Sequence, residues 1–320
     1  MSRTAIGVDV GGTGTKAGLV SDSGEVLLRV ERPTDNAAGT KGVIEVVEEL
    51  LELSPSGDAP VAIGVGAAGF IDVSSGSVTF APNLTYDDPN IADAVGARTN
   101  LPVIVDNDAN AAAWGERAFG AARGLDHVVL LTIGTGIGGG FVVGGRLLRG
   151  STGAGAEFGH TIVDPGGPEC PCGLRGCIEQ FASGGAIARA AQRAARENPS
   201  STLVAFAGSV EAITAKHVGH AAREYDELAL AIMQDAGRWL GIGLSNIANL
   251  FDPQTIVLGG GVVKSGESFL GVARDTLVAM TAAQRRRPMR LDVTTLGRDA
   301  GIIGAAALAM DEAAGPPGAK

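Results

Sequence analysis

The chain has 320 residues, with 25 Lys and Arg against 35 Asp and Glu and a formal net charge of −10. This acidic balance argues against a basic arm for nucleic acid or for an anionic membrane, although a phosphate site built from backbone N–H groups needs no positive net charge. No apolar run approaches the roughly 20 residues that span a bilayer. The start of the chain lacks the layout of a signal peptide, so we expect a cytoplasmic protein that binds neither nucleic acid nor membrane.

The first 121 residues alternate apolar runs with turn residues. The predicted strands fall at 4–10, 17–20, 26–30, 61–72 and 78–84. Apolar residues at helical spacing predict a helix over 41–53. The stretch 101–121 reads as a strand that turns directly into an Ala-rich helix.

The pattern then restarts, because 127–148 repeats the order of strand, Gly/Thr turn and strand seen at the start of the chain. We interpret the two stretches as corresponding hairpins of two similar lobes. A long helix over 224–250, a strand that runs into a glycine turn over 255–262 and a closing helix over 301–314 follow. Strands that alternate with helices predict an α/β protein. The predicted division is a small lobe, 1–120 plus 299–320, and a large lobe, 121–298.

Three glycine-rich turns follow predicted strands. They are Gly11-Gly12-Thr13, which lies between Asp9 and Lys16, then Gly134-Thr135-Gly136, and then Gly259-Gly260-Gly261. Phosphate oxygens can be held by backbone N–H groups where side chains are absent, and Asp9 can orient the water shell of a Mg²⁺ ion. An ordinary turn explains any one of the three. Together, in a two-lobed chain, they favour a nucleotide bound in a cleft between the lobes.

The segment Asp106–Asn110 holds four polar residues where a strand gives way to a helix. One of them can cap the helix, since Asn and Asp are good N-caps. A cap needs only one such residue, however, and four stand between apolar runs. A carboxylate here can accept the proton of a sugar hydroxyl during its attack on a γ-phosphate.

All the cysteines of the chain lie within eight residues, with a histidine ten residues upstream. The candidate ligands are His160, Cys170, Cys172 and Cys177. One imidazole and three thiolates complete a tetrahedral zinc set and leave no open position, so we predict a structural zinc site. Glu157 and Glu179 flank these ligands. They would be held rigidly beside the metal, where carboxylates can accept hydrogen bonds from sugar hydroxyls.

The combination of motifs resembles the ROK family of sugar kinases and repressors, within the actin-like or hexokinase-like ATPase superfamily. The motifs that carry the resemblance are DVGGTGTK, GVGAAGFID, APNL, VDNDANAAAWGE, LTIGTGIGGG, GAEFGH, CPCGLRGCIEQFASG and FDPQTIVLGGG, which cover essentially the whole chain. The resemblance implies a two-lobed, ribonuclease H-like α/β fold with an interlobe cleft. The set is most similar to the ATP-dependent glucokinases of that family in actinobacteria.

The resemblance also implies a role for each matching residue. Asp108 matches the catalytic base. The residues that match sugar-binding positions are Asn83, Asn107, Asp108, Glu157, His160 and Glu179. The residues that match nucleotide-binding positions are Asp9, Gly11, Gly12, Thr13, Lys16, Gly134, Thr135, Gly136, Gly259, Gly260 and Gly261. The implied cofactors are ATP as phosphoryl donor, Mg²⁺ and a structural Zn²⁺, and the implied assembly is a homodimer or homotetramer.

Several alternatives stay open on the sequence. The first glycine turn is also similar to that of polyphosphate glucokinases, so the donor is ATP or polyphosphate. N-acetylmannosamine or fructose remains an alternative to glucose, because pocket geometry decides the stereochemistry of a single hydroxyl. A sugar-sensing regulator is disfavoured, since no helix-turn-helix segment is expected before Asp9 and no basic surface compensates.

Overall fold

The structure is a computed structural model that describes residues 3–12, 14–55, 59–81, 84–198 and 201–314. The strands are β1 Thr4–Val10, β2 Gly14–Ser21, β3 Val26–Pro33, β4 Ile63–Ala67, β5 Phe70–Asp72, β6 Ser77–Phe80, β7 Val103–Asn107, β8 Val128–Ile133, β9 Ile137–Val143, β10 Arg146–Leu147, β11 Thr255–Gly259 and β12 Arg290–Val293. The helices are α1 Gly39–Leu53, α2 Ile91–Thr99, α3 Asp108–Ala118, α4 Glu179–Ala182, α5 Gly184–Glu197, α6 Thr202–Ala207, α7 Ala215–Arg223, α8 Glu227–Phe251, α9 Glu267–Met280, α10 Ala282–Arg286 and α11 Ala300–Ala314.

The chain forms two compact units. The first consists of Met1–Leu130, Gly140–Ala156 and Thr294–Lys320, and the second of Leu131–Gly139 and Glu157–Val293. The lobe boundaries proposed from the sequence stay a prediction. Among the described helices, none combines the length and the apolar character that a membrane span requires.

The first unit is built on a five-stranded sheet with the order β3-β2-β1-β4-β7. The first three strands form the antiparallel meander expected from the sequence, while β4 and β7 lie parallel to β1. One face of the sheet packs against α1 through buried Val and Leu side chains. The other face packs against α11. β7 leads directly into α3, as predicted, and so places the polar segment Asp106–Asn110 at a strand end.

Glycine allows α11 to approach the sheet closely. Gly7 and Gly64 stand opposite each other in β1 and β4. A Cβ atom at either position would overlap a backbone carbonyl oxygen of α11. Gly304 plays the same part on α11, where a Cβ would overlap the carbonyl oxygen of Ala111 in α3. The helix therefore sits at a distance from its neighbours that no side chain at these positions permits.

We expect the Gly304→Ala variant to lower the free energy of unfolding by about 3 kcal/mol, because the new methyl group forces two backbones apart in a close-packed interior. The matched control is Gly96→Ala, also within a helix, where the nearest atoms stand 3.7 Å from an added Cβ. That variant should gain up to about 1 kcal/mol from helix propensity. Urea unfolding of both variants measures the difference. Equal stability would contradict the account of helix packing.

A second five-stranded sheet has the order β10-β9-β8-β11-β12. Like the first sheet, it combines antiparallel pairing, here between β9 and β10, with parallel pairing, here between β11 and β12. In the second unit, α8 packs on α9, and the absence of side chains at Gly237 and Gly241 allows the close approach. Further along α8, Gly243 faces Phe158 and Ile178. The longest helix of the described chain thus supports both segments that carry the candidate metal ligands.

Three elements differ in their bounds from the prediction. The stretch 61–72 forms two strands, β4 and β5, and the strand predicted over 78–84 ends at Phe80. The helix predicted over 224–250 begins at Glu227, because the Asp226 side chain accepts a hydrogen bond from Ala229 N at 2.8 Å and caps a new helix there. The residues before it belong to α7.

Candidate active site and metal centre

The first glycine turn connects β1 and β2. Asp9 and Lys16 form a directly opposed pair in this hairpin, with Oδ2 and Nζ 3.7 Å apart. Burial raises the pKa of the Asp9 carboxyl, and Lys16 opposes this shift. The hairpin therefore holds a carboxylate and an ammonium group at the foot of the turn.

Gly11, at the start of the turn, forms two hydrogen bonds with the rest of the first unit. Gly11 N donates to Gly14 O at 3.1 Å, and Thr34 Oγ1 donates to Gly11 O at 2.7 Å. At Gly12 an added Cβ would meet no atom within 4 Å, so open space lies beside the backbone where a phosphate could approach. Thr13 lies outside the described residues.

The hydrogen bonds at the start of α3 show which of its polar residues caps the helix. Asn107 is the N-cap, because its Oδ1 accepts hydrogen bonds from Ala109 N at 2.9 Å and Asn110 N at 3.2 Å. Its Nδ2 donates to Gly69 O at 3.1 Å. Asp108 is the first helical residue, and its Oδ1 lies 2.9 Å from Ala109 N. The helix thus has an N-cap that does not depend on Asp108.

Tyr86 lies close to this carboxylate. Its hydroxyl donates to Ala68 O at 3.2 Å. Burial raises the pKa of the Tyr86 phenol, and the negative charge of Asp108 adds to the shift. The phenol is therefore a neutral hydrogen-bonding group beside Asp108. Asn83, the other candidate from this part of the sequence, lies outside the described residues.

The second glycine turn connects β8 and β9 and is held by the start of α5. Gly184 N donates to Gly134 O at 2.8 Å, and Gly185 N donates to Thr135 O at 3.1 Å. Glu179 reaches the same hairpin, since its Oε2 accepts a hydrogen bond from Ile137 N at 2.9 Å. One carboxylate oxygen of Glu179 is thus engaged with the turn.

A cavity of about 740 Å³ lies within the second unit. The residues that line it are Gly134, Thr135, Gly184, Gly185, Ala188, Thr214, Ala215, Lys216, Gly219, Arg223, Gly261, Val262, Lys264 and Ser265. The structure therefore brings the second and third glycine turns to one cavity. Pockets for small ligands have this order of volume. The sequence interpretation missed α7 and its basic residues Lys216 and Arg223, because nothing in the local pattern links them to the glycine turns.

The four candidate metal ligands lie together, with their donor atoms all within 4.8 Å of one another. The sulfurs of Cys172 and Cys177 are 3.6 Å apart, and so are Cys170 Sγ and His160 Nδ1. A disulfide would require about 2.05 Å. A zinc ion with bonds of about 2.3 Å to sulfur sets the edges of its tetrahedron at roughly 3.8 Å. The donor set therefore fits a tetrahedral metal ion.

Backbone hydrogen bonds within the loop hold the segment before and between the cysteines. Cys170 N donates to Leu174 O at 2.8 Å, and Gly176 N donates to Pro168 O at the same distance. Gly176 has a φ of +75°, which favours glycine, and a Cβ there would overlap the carbonyl oxygen of Asp164. This tight turn delivers Cys177 back towards the other ligands.

Glu157 stands just before the short helical turn that carries His160. Burial raises the pKa of the Glu157 carboxyl, while His160 opposes the shift and Glu179 adds to it. All three side chains belong to the second unit. The residue before Glu157, Ala156, has a φ of +67°, a conformation that costs a non-glycine residue free energy and often marks a functional segment.

These features belong to an α/β fold of the actin-like or hexokinase-like type, as the similar solved structures show. The chain matches the model of the ROK family over residues 5–312, and it therefore belongs to the ROK family. It is 39% identical over 310 residues to the glucokinase of Streptomyces coelicolor, covering 96% of this chain and 97% of that protein. It is 40% identical to the glucokinase of Thermotoga maritima over 97% of this chain and 98% of that protein.

The chain is also similar in structure to a solved member of the family. The ROK family glucokinase of Streptomyces griseus, in complex with glucose and AMPPNP, superposes with a TM-score of 0.83 at 40% identity. The match covers 96% of this chain and 99% of that one.

Proposed function

We propose that this protein is an ATP-dependent glucokinase, which transfers the γ-phosphoryl group of ATP to the 6-hydroxyl of glucose. The observation that carries the proposal is the match, over nearly the whole length of both chains, with proteins named glucokinase at 39% and 40% identity. The complex of a similar protein with glucose and AMPPNP supports the same pair of substrates.

On the acceptor side, Asp108 is the proposed general base. Phosphoryl transfer needs a group that orients the attacking hydroxyl and accepts its proton. Asp108 brings a carboxylate to the first turn of α3, while Asn107 supplies the N-cap of that helix. We assign Asn107 and Asn83 to glucose hydroxyls on the resemblance alone.

In the second unit, Glu157, His160 and Glu179 are the proposed partners of glucose hydroxyls. His160 turns Nδ1 towards Cys170, at 3.6 Å, so its other ring nitrogen is the one to bind a hydroxyl. Glu179 uses Oε2 for Ile137 N and has a weaker contact of 3.5 Å from Gln180 to Oε1, which is the oxygen we assign to the sugar.

The residues present fit a zinc ion and a magnesium ion. A zinc ion held by His160, Cys170, Cys172 and Cys177 would supply rigidity rather than an activated water, because four protein donors leave no open position. A magnesium ion bound with the donor would neutralise part of the charge of its phosphates. Asp9 is the residue that we propose to hold its water shell, beside the open space at Gly12.

The cavity of the second unit favours a nucleotide over polyphosphate as donor. Its volume of about 740 Å³ suits a base and a ribose, which a chain of phosphates does not contain. Lys216, Arg223 and Lys264 give its wall a positive charge that suits the phosphates of ATP. Cytoplasmic location and assembly into a homodimer or homotetramer stay predictions from the sequence.

Side chains of increasing size at Gly261 should progressively raise the KM for ATP. A Cβ at this position would meet no atom within 4 Å, so the fold tolerates the substitution while the side chain enters the cavity. We expect about a tenfold increase in KM for Gly261→Leu, less for Gly261→Ala, and little change in KM for glucose. Steady-state kinetics with each substrate varied in turn measure this. An unchanged KM for ATP in Gly261→Leu would show that the donor does not use this cavity.

The proposed function is tested by a coupled assay of ADP release with glucose, mannose, fructose, N-acetylmannosamine and N-acetylglucosamine. We expect the highest kcat/KM with glucose. A far higher kcat/KM with another sugar would overturn the assignment of the acceptor. Glucose 6-phosphate formation is then compared with ATP and with polyphosphate as donors, and turnover with polyphosphate alone would overturn the assignment of the donor.

A further inference from the structure

A buried carboxylate lies two residues before the proposed base. Asp106 is 2% exposed, at the end of β7. Three donors hold it: Asn107 N at 2.8 Å and Asn110 Nδ2 at 2.9 Å bind Oδ1, and Arg149 Nε at 2.8 Å binds Oδ2. Every one of these groups belongs to the first unit.

Two of the donors stand on either side of Asp108. Asn107 precedes Asp108 and Asn110 lies two residues after it. The Asp106 carboxylate therefore accepts hydrogen bonds from residues on both sides of Asp108 in the first turn of α3. Because Asp108 lies within this turn, its backbone position depends on where the Asp106 carboxylate is held. A displacement of a reacting group by about 1 Å can cost 10²-fold in rate.

Arg149 fixes that carboxylate from outside the helix. It comes from the segment after β10 and is only 35% exposed. The segment is itself folded tightly, since Gly155 N donates to Arg149 O at 2.9 Å. It also packs on another part of the first unit, where a Cβ at Gly153 would overlap the carbonyl oxygen of Ile71 in β5. The guanidinium thus reaches Asp106 from a well-defined backbone.

A contribution to stability does not by itself explain the cluster of polar side chains formed by Asp106, Asn110 and Arg149. A buried ion pair contributes little net stability, because desolvation offsets the attraction. Asn110 is 3% exposed, and its Oδ1 finds no hydrogen-bond partner among the described residues. A partly satisfied buried network costs more than apolar packing. A role in placing Asp108 explains why polar groups stand here.

We infer that Arg149 and Asp106 are positioning residues for the phosphoryl-transfer step: the Arg149–Asp106 pair holds the first turn of α3 so that Asp108 meets the sugar hydroxyl. This inference rests on the proposed function. The pair touches neither substrate in this assignment and acts through the backbone of the turn that carries Asp108. The Asn107 side chain keeps its own hydrogen bonds to Ala109 N, Asn110 N and Gly69 O when the pair is lost. Its loss should therefore lower kcat and leave the binding of both substrates nearly unchanged.

The test compares Arg149→Ala, Arg149→Lys and Asp106→Asn with the parent enzyme. We expect Arg149→Ala to lower kcat by about 10- to 100-fold. The KM for ATP and the Kd for glucose should change by less than about threefold, because uniform binding is not affected. Added guanidinium ion at millimolar concentration should restore part of the rate of Arg149→Ala. Arg149→Lys should keep an intermediate kcat, since it retains the charge but not the Nε–H donor.

Asp106→Asn keeps the shape of the side chain and should show the same split between kcat and binding, which covers the case in which Arg149→Ala does not fold. The matched control is Arg98→Ala, which removes an ion pair of similar length, 2.7 Å to Glu48, on α2 and α1. It should leave kcat unchanged.

The outcomes separate the two proposals. A parent enzyme that does not phosphorylate glucose overturns the proposed function. A fully active parent whose Arg149 and Asp106 variants keep normal kcat overturns the positioning role. Loss of thermal stability and of glucose affinity in parallel with kcat, without rescue by guanidinium, would show a purely structural role and would equally overturn it.

Discussion

In the Asp108→Asn variant we expect kcat to fall by at least about 10²-fold, the loss that follows removal of a general base. Asn has the same size as Asp but cannot accept the proton of the attacking hydroxyl. A carboxylate is a weak base in water, yet it suffices here, since the proton moves late, when phosphoryl transfer has already made the hydroxyl more acidic. The fold should be unaffected because Asn107 caps α3.

Glucose binding should fall less than kcat in this variant, since the amide can still form a hydrogen bond with the hydroxyl. Steady-state kinetics, glucose titration and circular dichroism measure the three effects. The matched control is Asp93→Asn, which also changes an aspartate in the first turn of a helix, α2. That variant should keep its kcat. If Asp108→Asn also kept a near-normal kcat, Asp108 would have no part in proton transfer.

The second large effect is expected for Cys172→Ser, which should lose the metal ion. A serine hydroxyl is a much poorer ligand for zinc than a thiolate, and the tetrahedral set would keep only His160, Cys170 and Cys177. Cys172 is exposed, so its replacement leaves no cavity in the core. We therefore expect circular dichroism to show most of the fold intact.

Loss of the metal should also weaken the interaction of the enzyme with glucose. Glu157 precedes His160 by three residues and Glu179 follows Cys177 by two, so both carboxylates depend on the geometry that the metal imposes. We expect kcat/KM for glucose to fall by at least about tenfold. Metal analysis, glucose titration and kinetics on the same preparation measure the effect. The matched control is Leu174→Ser, at a half-exposed position of the same loop, which should keep its metal and its activity.

A Cys172→Ser protein that contains no zinc but binds glucose as tightly as the parent would contradict this account of the metal centre. Zinc retained at the parent's stoichiometry would contradict the ligand assignment instead.

What the sequence by itself determined is local in origin. The meander β1–β2–β3 follows from apolar runs separated by turn residues, and the step from β7 into α3 follows from an apolar run that ends in polar capping residues. The proximity of Cys170, Cys172 and Cys177 follows from their spacing, and in the structure a donor atom of His160 lies with theirs. These features could be predicted because they depend on residues that are close together in the sequence.

The tertiary structure decided the rest, because the partners are distant along the chain. Nothing local links Arg149 to Asp106, or α7 to the glycine turns that share its cavity. The elements that were not predicted are helices α2, α4, α5, α6, α7, α9 and α10 and strand β12. The buried Glu116 gives the plainest case, since it accepts hydrogen bonds from Thr294, Thr295 and Leu296, nearly 180 residues later in the chain. A residue's sequence neighbours set its propensity, but the folded chain supplies the donors and the close approaches that give it a role.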